Sequence, residues 1–292
     1  MNPQISILTP TYNRAHLLNR VYNSLLSQSN LNFEWLIIDD GSIDNTEEVI
    51  KHFNTEKFPI IYLKKENGGK HTALNLGVKE ASGEYILMLD SDDTLPHNAI
   101  TIISQKVENL PAELGGVVGR KSDLQGEIIG NKNQFNDLIT NSLDIRYKYG
   151  IEGDLTEVFR TSVFKQFLFP EIKNEKFCPE ILVWNRIAFH YDLLFFDKSI
   201  YTADYQSGGL TDQIIKIRMN SPKASMLTYS ELANYHIPLK EKLKASINFW
   251  RFSFNDKDWS LKEKINMSIR WMIPITYPLG LLMHLKDKRK VS

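Results

Sequence analysis

Cysteine is nearly absent: Cys178 is the only one in 292 residues. That excludes an intramolecular disulfide and any zinc or iron–sulfur centre built on several thiolates, and it fits a reducing cytoplasm. Net charge is absent as well, with 35 Lys plus Arg against 35 Asp plus Glu. No overall basic field argues for nucleic acid, and no nucleic-acid partner is expected. No charged segment followed by an apolar run precedes Ile5, so no secretory leader is expected. Internal repeats and low-complexity tracts are missing. A composition of 42% hydrophobic and 24% charged residues excludes disordered and collagenous chains.

What is present is enough chain for one large α/β domain or two modest ones. The zero net charge conceals a gradient. Residues 1–110 carry 9 basic and 14 acidic side chains, a net of −5, and residues 111–212 carry 11 and 15, a net of −4. Residues 213–292 carry 15 and 6, a net of +9. An acidic front balanced by a basic tail implies a charged partner for one end.

Strand-like and helix-like patterns alternate in the first half. Ile5–Leu8 reads as a strand, followed by Leu17, Leu18, Val21, Leu25 and Leu26 at helical spacing. Trp35–Ile38 is a continuous apolar run, as in buried parallel strands, and it ends in Asp39-Asp40-Gly41-Ser42. Asp44 with Glu47 resembles a helix cap. A strand at Ile60–Leu63, a turn at Asn67-Gly68-Gly69 and a helix over about 70–82 follow, and Tyr85–Leu89 is a further strand running into Asp90-Ser91-Asp92-Asp93. The pattern predicts a doubly wound, mostly parallel α/β sheet flanked by helices, in which ligands bind at the carboxyl ends of strands. Gly115–Gly119 and Leu193–Phe196 are further strand candidates, 125–150 reads as an irregular excursion, and 177–189 has helical spacing. From Gln213 onward the chain reads as a mainly helical C-terminal extension.

Asp90 and Asp92 at a strand end can together hold a hard divalent cation, which takes phosphate oxygens as further ligands. The plainer reading makes Asp93-Thr94-Leu95-Pro96 a helix entry with acidic caps. Asp39 and Asp40 end a second strand on the same sheet edge. Carboxylates converging there repel unless a cation or a donor-rich ligand joins them, which favours a site.

Thr9-Pro10-Thr11-Tyr12-Asn13-Arg14, Asp39-Asp40-Gly41-Ser42 with Asp44 and Thr46, Asn67-Gly68-Gly69-Lys70 and Asp90-Ser91-Asp92-Asp93, in this order and spacing, resemble the motifs of glycosyltransferase family 2. The resemblance is close over residues 1–110 and continues loosely to about position 212. It implies a GT-A fold, a nucleotide-diphospho-sugar donor of UDP type, a divalent cation (Mn2+ or Mg2+) and transfer with inversion. On that reading 1–212 is the catalytic domain, with 1–110 its nucleotide-sugar half and 111–212 its acceptor half, and 213–292 is the helical extension. By position, Pro10, Thr11, Tyr12 and Arg14 line the nucleotide pocket and Asp40 holds the base. Lys70 and Ser91 join the donor contacts, Asp90 approaches the ribose or the metal, and Asp92 is the main metal ligand.

Inverting transfer needs a base for the acceptor hydroxyl, and a carboxylate is the usual solution. The family places a Glu-Asp pair at a helix start with an Arg six residues on. Here Pro179-Glu180 stands in its place, so Glu180 aligns with the base and Arg186 with the arginine, while Glu180 also reads as an ordinary first-turn acid. Asp154, Trp184 and Arg186 are the expected acceptor contacts. Tyr205–Thr211 reads either as a segment closing over the diphosphate or as an ordinary loop. His71 is expected on a helix surface and Cys178 in packing.

Trp271–Leu285 carries no charged side chain, and it is shorter than the roughly 20 residues a bilayer crossing needs. Pro274 and Pro278 interrupt it, and Lys286, Lys288, Arg289 and Lys290 follow. Apolar aromatic surface beside a basic cluster suits peripheral contact with an anionic cytoplasmic membrane face; a packed terminal helix with a solvated tail is the alternative. The family resemblance adds a glycan or lipid-linked glycan as acceptor. Two rival functions remain: nucleotidyl transfer, disfavoured because Thr9–Arg14 contains no glycine, and a non-catalytic nucleotide-sugar-binding or membrane scaffold.

Overall fold

The computed structural model describes residues 3–131, 133–204 and 213–291. Two compact units divide the chain: Met1–Leu168 with Arg186–Gln206, and Phe169–Asn185 with Ser207–Ser292. The expected segment Tyr205–Thr211 lies outside the described residues.

In the first unit the chain runs β1 (Ile5–Thr11), α1 (Ala15–Leu26), β2 (Phe33–Asp39), α2 (Thr46–Lys51), β3 (Ile60–Lys64), α3 (Lys70–Glu80), β4 (Tyr85–Met88) and α4 (Ala99–Val107). It continues through β5 (Gly116–Ser122), β6 (Leu138–Thr140), α5 (Asp144–Tyr147), β7 (Leu155–Arg160) and α6 (Thr161–Phe164). After α7 (Glu180–His190) comes β8 (Leu193–Thr202). The eight strands form one mixed sheet in the order β3-β2-β1-β4-β7-β5-β8-β6. β1 is parallel to both β2 and β4, β2 to β3, and β5 to β8. β7 runs antiparallel between β4 and β5, and β6 lies antiparallel to β8.

β1 and β2 are buried along their whole length, which is why Trp35–Ile38 is a continuous apolar run, and the polar residues within them, such as Ser6 and Glu34, are buried and hydrogen-bonded to each other. The buried cluster on one side of the sheet gathers Ile7, Trp35, Leu87, Val117 and Phe196 from five strands with Leu18, Val21 and Leu25 of α1. Strand order reverses between β1 and β4, the place where an open α/β sheet forms a crevice at the carboxyl ends of its strands. Pro10 helps to open it. The Leu8 carbonyl accepts the Leu89 N–H, so Pro10, two residues on, turns its missing donor toward the same neighbour, past the last paired residue of β4.

The 125–150 excursion is mostly irregular, carrying only β6 and α5. Its path is fixed by Arg120, a fully buried guanidinium that pairs with Asp197 at 2.9 Å and donates to the carbonyls of Asn131 and Asn133.

In the second unit are α8 (Ile214–Asn220), α9 (Pro222–Asn234), α10 (Leu239–Ser253), α11 (Leu261–Met267), a 3-10 turn at Arg270–Met272 and α12 (Ile273–Val291). The helical C-terminal extension is therefore observed. Pro274 and Pro278 do not interrupt the last helix as the sequence implied. Pro274 occupies the first turn, where the lost N–H has no intrahelical partner, and the helix runs on through Pro278. Met226, Phe249 and Trp250 form this unit's buried centre. Among the described residues no helix is long and apolar enough to cross a membrane.

Candidate active site

Three strand ends build the site. β1 ends in Pro10-Thr11, with Tyr12 half exposed. Asn13 adopts a left-handed conformation (φ 53°), which short polar side chains tolerate. Asn13 and the loop after β2 clasp each other: the Asn13 N–H donates to Ser42 Oγ, and Asn13 Oδ1 accepts the Ile43 N–H, both at 2.9 Å. The Thr11 hydroxyl is buried there with no hydrogen-bond partner among the described residues.

The two aspartates closing β2 have different surroundings, which their adjacency in sequence conceals. Asp39 is fully buried and accepts from Tyr62 Oη at 2.6 Å and from the Ser42 N–H at 2.7 Å. Burial and the Asp39 carboxylate push the Tyr62 phenol well above its ordinary value. Asp40 turns toward the loop before α3. Its Oδ1 accepts from Lys65 Nζ and the Gly68 N–H, both at 2.9 Å, and its Oδ2 from the Gly69 N–H at 2.7 Å and Asn67 Nδ2 at 3.1 Å. Four donors fill the acceptor sites of the carboxylate. Gly41 (φ 84°) permits this close approach, since a Cβ there would lie 2.9 Å from the Asn67 nitrogen and a side chain would be strained at that backbone angle.

β4 ends in the acidic turn. Asp90, Asp92 and Asp93 each offer a carboxylate oxygen, and these lie within 4.8 Å of one another. Three hard oxygen donors converging at one point fit Mg2+ or Mn2+. Two cations flank them: Lys70 Nζ lies 2.5 Å from Asp90 Oδ1, and Arg14 Nη1 lies 2.6 Å from Asp92 Oδ2 and 3.5 Å from Ser91 Oγ. Burial opposes the charge on Asp90, yet Lys70, Lys121 and Arg14 together hold its carboxyl below the usual range. Asp93 goes the other way: burial and the neighbouring Asp90 push it up to about 6.

Tyr201 near the end of β8 ties this turn in place. Its hydroxyl donates to Asp93 Oδ2 at 2.7 Å and accepts the Asp90 N–H at 3.0 Å. The Asp204 N–H donates to Asp93 Oδ1 at 2.8 Å, and Arg20 of α1 links the Asp204 carboxylate to the Asp92 carbonyl. The expected helix entry at Asp93–Pro96 is replaced by a bridge between Thr94 and Thr202, and α4 begins only at Ala99. The capping role read for Asp44 also changes. Its Oδ1 accepts the Thr46 N–H at 3.1 Å, while Oδ2 accepts the Ala15 N–H at the start of α1.

The structure thus brings Thr11, Arg14, Asp40, Lys70, Asp90, Ser91 and Asp92 to one sheet edge in the first unit. Asp93, Tyr201, Arg20 and Asp204 were not singled out from sequence. Only Asp93 carried a local signal, its place in the acidic turn. Glu180 is half-buried in the first turn of α7, and Arg186, also half-buried, lies farther along the same helix. Asp154 is exposed just before β7. Trp184, expected as an acceptor contact, is buried and packs on Phe169 at 5.9 Å between centroids. His71 is buried rather than on a helix surface, because α3 is covered on the side it occupies. Cys178 is buried, as a packing residue would be.

The mostly parallel eight-stranded sheet flanked by helices is a GT-A-like α/β fold, and the acidic turn with its flanking cations lies at its β1/β4 reversal. Residues 6–169 match the family described as Glycosyl transferase family 2, and the chain belongs to that family. It is 31% identical over 180 residues to an uncharacterised glycosyltransferase of Haemophilus influenzae, a match covering 60% of this chain and 69% of that one. It is 28% identical over 173 residues to a GalNAc(5)-diNAcBac-PP-undecaprenol beta-1,3-glucosyltransferase of Campylobacter jejuni, covering 58% and 55%. Other curated relatives are matched over a smaller share of their length, 14% for a Rickettsia bellii glycosyltransferase and 38% for one from Streptococcus pneumoniae. In fold it is similar to S. aureus TarS 1-349 in complex with UDP, with a TM-score of 0.64 at 19% identity and 97% of this chain and 88% of that one covered, and to the same protein in complex with UDP-GlcNAc, with a TM-score of 0.63 at 19% identity, covering 95% and 79%.

Proposed function

We propose that this chain transfers a sugar from a nucleotide-diphospho-sugar, of UDP type, to a hydroxyl of a lipid-linked or surface glycan, with inversion, at the cytoplasmic face of a membrane. The observation that carries this reading is the convergence of Asp90, Asp92 and Asp93 between the cations Lys70 and Arg14 at the β1/β4 reversal. Asp92, helped by Asp90, would hold Mn2+ or Mg2+. When bound, the cation neutralises charge on the leaving diphosphate. Membership of Glycosyl transferase family 2 supports the reaction class, and the Campylobacter jejuni relative, whose name specifies an undecaprenol-linked acceptor, supports the acceptor class.

Pro10, Thr11 and Tyr12 receive the nucleotide, and Asp40, whose carboxylate already accepts from Lys65, Asn67, Gly68 and Gly69, acts through the turn it holds. The Thr11 hydroxyl offers the ligand a polar partner, and Asp40 holds the Gly68-Gly69 turn against the end of β2. Lys70 and Arg14, paired to Asp90 and Asp92, are the cations proposed to stabilise the diphosphate as its charge develops. In the transfer the acceptor oxygen attacks the anomeric carbon, the bond from that carbon to the diphosphate oxygen breaks, and Glu180 takes the hydroxyl proton. Asp154 and Arg186 are the proposed acceptor contacts.

The test is a panel of nucleotide-sugars offered with and without Mn2+, scoring donor-dependent stabilisation and the released product. Nucleoside diphosphate released only with the cation is expected. Pyrophosphate would identify nucleotidyl transfer instead, and no binding or turnover of any donor would refute the reading. Glu180→Gln should keep donor binding and lose transfer; full transfer by that variant would remove Glu180 as the base.

A further inference from the structure

The two faces of α12 differ sharply. Its inward line, starting just before the helix, is Met272, Thr276, Gly280, His284 and Asp287, all buried. Gly280 lets α10 approach so closely that a Cβ there would lie 2.5 Å from Trp250 Cβ and 2.9 Å from the Arg251 nitrogen. Farther along the same face, Asp287 Oδ1 takes Arg251 Nη2 at 2.9 Å. These two contacts fix the rotation of the helix about its axis.

That rotation turns Ile275, Leu279, Leu282 and Leu285 outward, Leu282 being 63% exposed, and Trp271, in the 3-10 turn just before the helix, is 64% exposed beside them. Residues three and four apart share one helix face, so these side chains form a continuous apolar stripe. Lys286, Lys288, Arg289 and Lys290 follow at once and are all exposed. Asp287, the only acid between positions 271 and 290, is buried on Arg251, so the exposed charges of this stretch are all basic. At 19 residues the helix spans about 28 Å. That is enough to lie along a surface, with too few apolar residues to cross one.

We infer that the outward stripe of α12 seats in the headgroup–acyl boundary of an anionic bilayer, with the Lys286–Lys290 cluster against the lipid phosphates. The inference rests on the membrane-facing part of the proposed function and names the contact that would make it. Apolar residues and basic residues are needed side by side for such seating, and both are present on one helix. A second copy of this chain paired parallel along the stripe would set two basic clusters against each other, and one paired antiparallel would leave each cluster beside an apolar end with no acid to meet it.

The experiment uses the full chain with vesicles of phosphatidylcholine alone or mixed with phosphatidylglycerol, scored by co-sedimentation and Trp emission. Binding to the anionic vesicles, weakened by salt and accompanied by a blue shift that Trp271→Phe removes, is expected. Ile275→Glu with Leu282→Glu should lower binding at least tenfold, and each Lys→Gln change in the cluster about fivefold. Equal binding to both vesicle types, unchanged binding by the Ile275/Leu282 variant, or a dimer in sedimentation velocity that this variant dissolves would overturn the inference. Donor hydrolysis measured on the same samples separates the two readings: hydrolysis without vesicle binding defeats only the membrane contact, and vesicle binding without hydrolysis defeats only the transferase.

Discussion

The Tyr201 hydroxyl stands between Asp93 and the Asp90 backbone, donating to the first at 2.7 Å and accepting from the second at 3.0 Å, although β8 and the acidic turn are far apart along the chain. A phenol that is fully buried cannot exchange these bonds for water. It therefore sets where the Asp90–Asp93 turn sits relative to the end of β8, and with it the spacing of the three carboxylates.

Replacing Tyr201 by Phe removes a donor to a carboxylate and an acceptor for a buried N–H. Each group left unmatched costs about 1–3 kcal/mol. The variant should unfold at lower urea and bind Mn2+, followed by electron paramagnetic resonance in the presence of a nucleoside diphosphate, at least tenfold more weakly. Unchanged Mn2+ affinity alongside the lost stability would reduce Tyr201 to a packing residue.

Asp92→Ala separates chemistry from stability. The Arg14–Asp92 pair is partly solvated, and such pairs contribute roughly 0–1 kcal/mol. The melting temperature should therefore hardly move, while cation-dependent binding of nucleoside diphosphate disappears. A variant that still binds donor with the same Mn2+ dependence would shift the ligand role to Asp90 and Asp93.

The crevice-forming strands are legible in sequence because each carries a short apolar core, Ile5–Leu8 with one Ser, Trp35–Ile38 and Tyr85–Met88, that ends in a polar loop. The acidic turn is legible for the same reason: it begins where the apolar run of β4 stops. β7 is not, because Leu155–Arg160 alternates weakly and its place between β4 and β5 is decided by antiparallel pairing with strands distant in sequence. Nor does the spacing of Asp39 and Asp40 show that one is spent on Tyr62 and Ser42 and the other on the Gly68-Gly69 turn. Tyr201 and Arg20 escape for the same cause: partners far apart along the chain leave no periodic trace.

Asp40→Asn tests how the Asn67-Gly68-Gly69 turn is held. An amide keeps one acceptor oxygen and turns an NH2 group toward donors, so some of the four hydrogen bonds from Lys65, Asn67, Gly68 and Gly69 must be lost. The expected cost is about 1–3 kcal/mol per donor left without an acceptor. Chemical denaturation should show that loss, and titration with a uridine nucleotide should show weaker binding. Full stability would mean that the turn keeps its shape without this carboxylate.

His284 gives the helical unit a pH dependence whose sign can be worked out. It is buried on the inner face of α12, 3.4 Å from Asn255 Nδ2 and against the Phe254 ring. Burial, with Lys288 nearby, lowers its pKa below the ordinary 6.5, while Asp287 and a backbone hydrogen bond at Arg251 oppose the shift only partly. Because the folded value lies below the unfolded one, the contribution to stability is complete above 6.5. As the pH falls through the window between the two values the unfolded chain binds the extra proton first, and stability drops. Urea midpoints measured at about pH 7.5 and about pH 5.5 should therefore separate further in the natural protein than in His284→Gln, whose side chain does not titrate. An equal separation in the two proteins would place the acid sensitivity elsewhere.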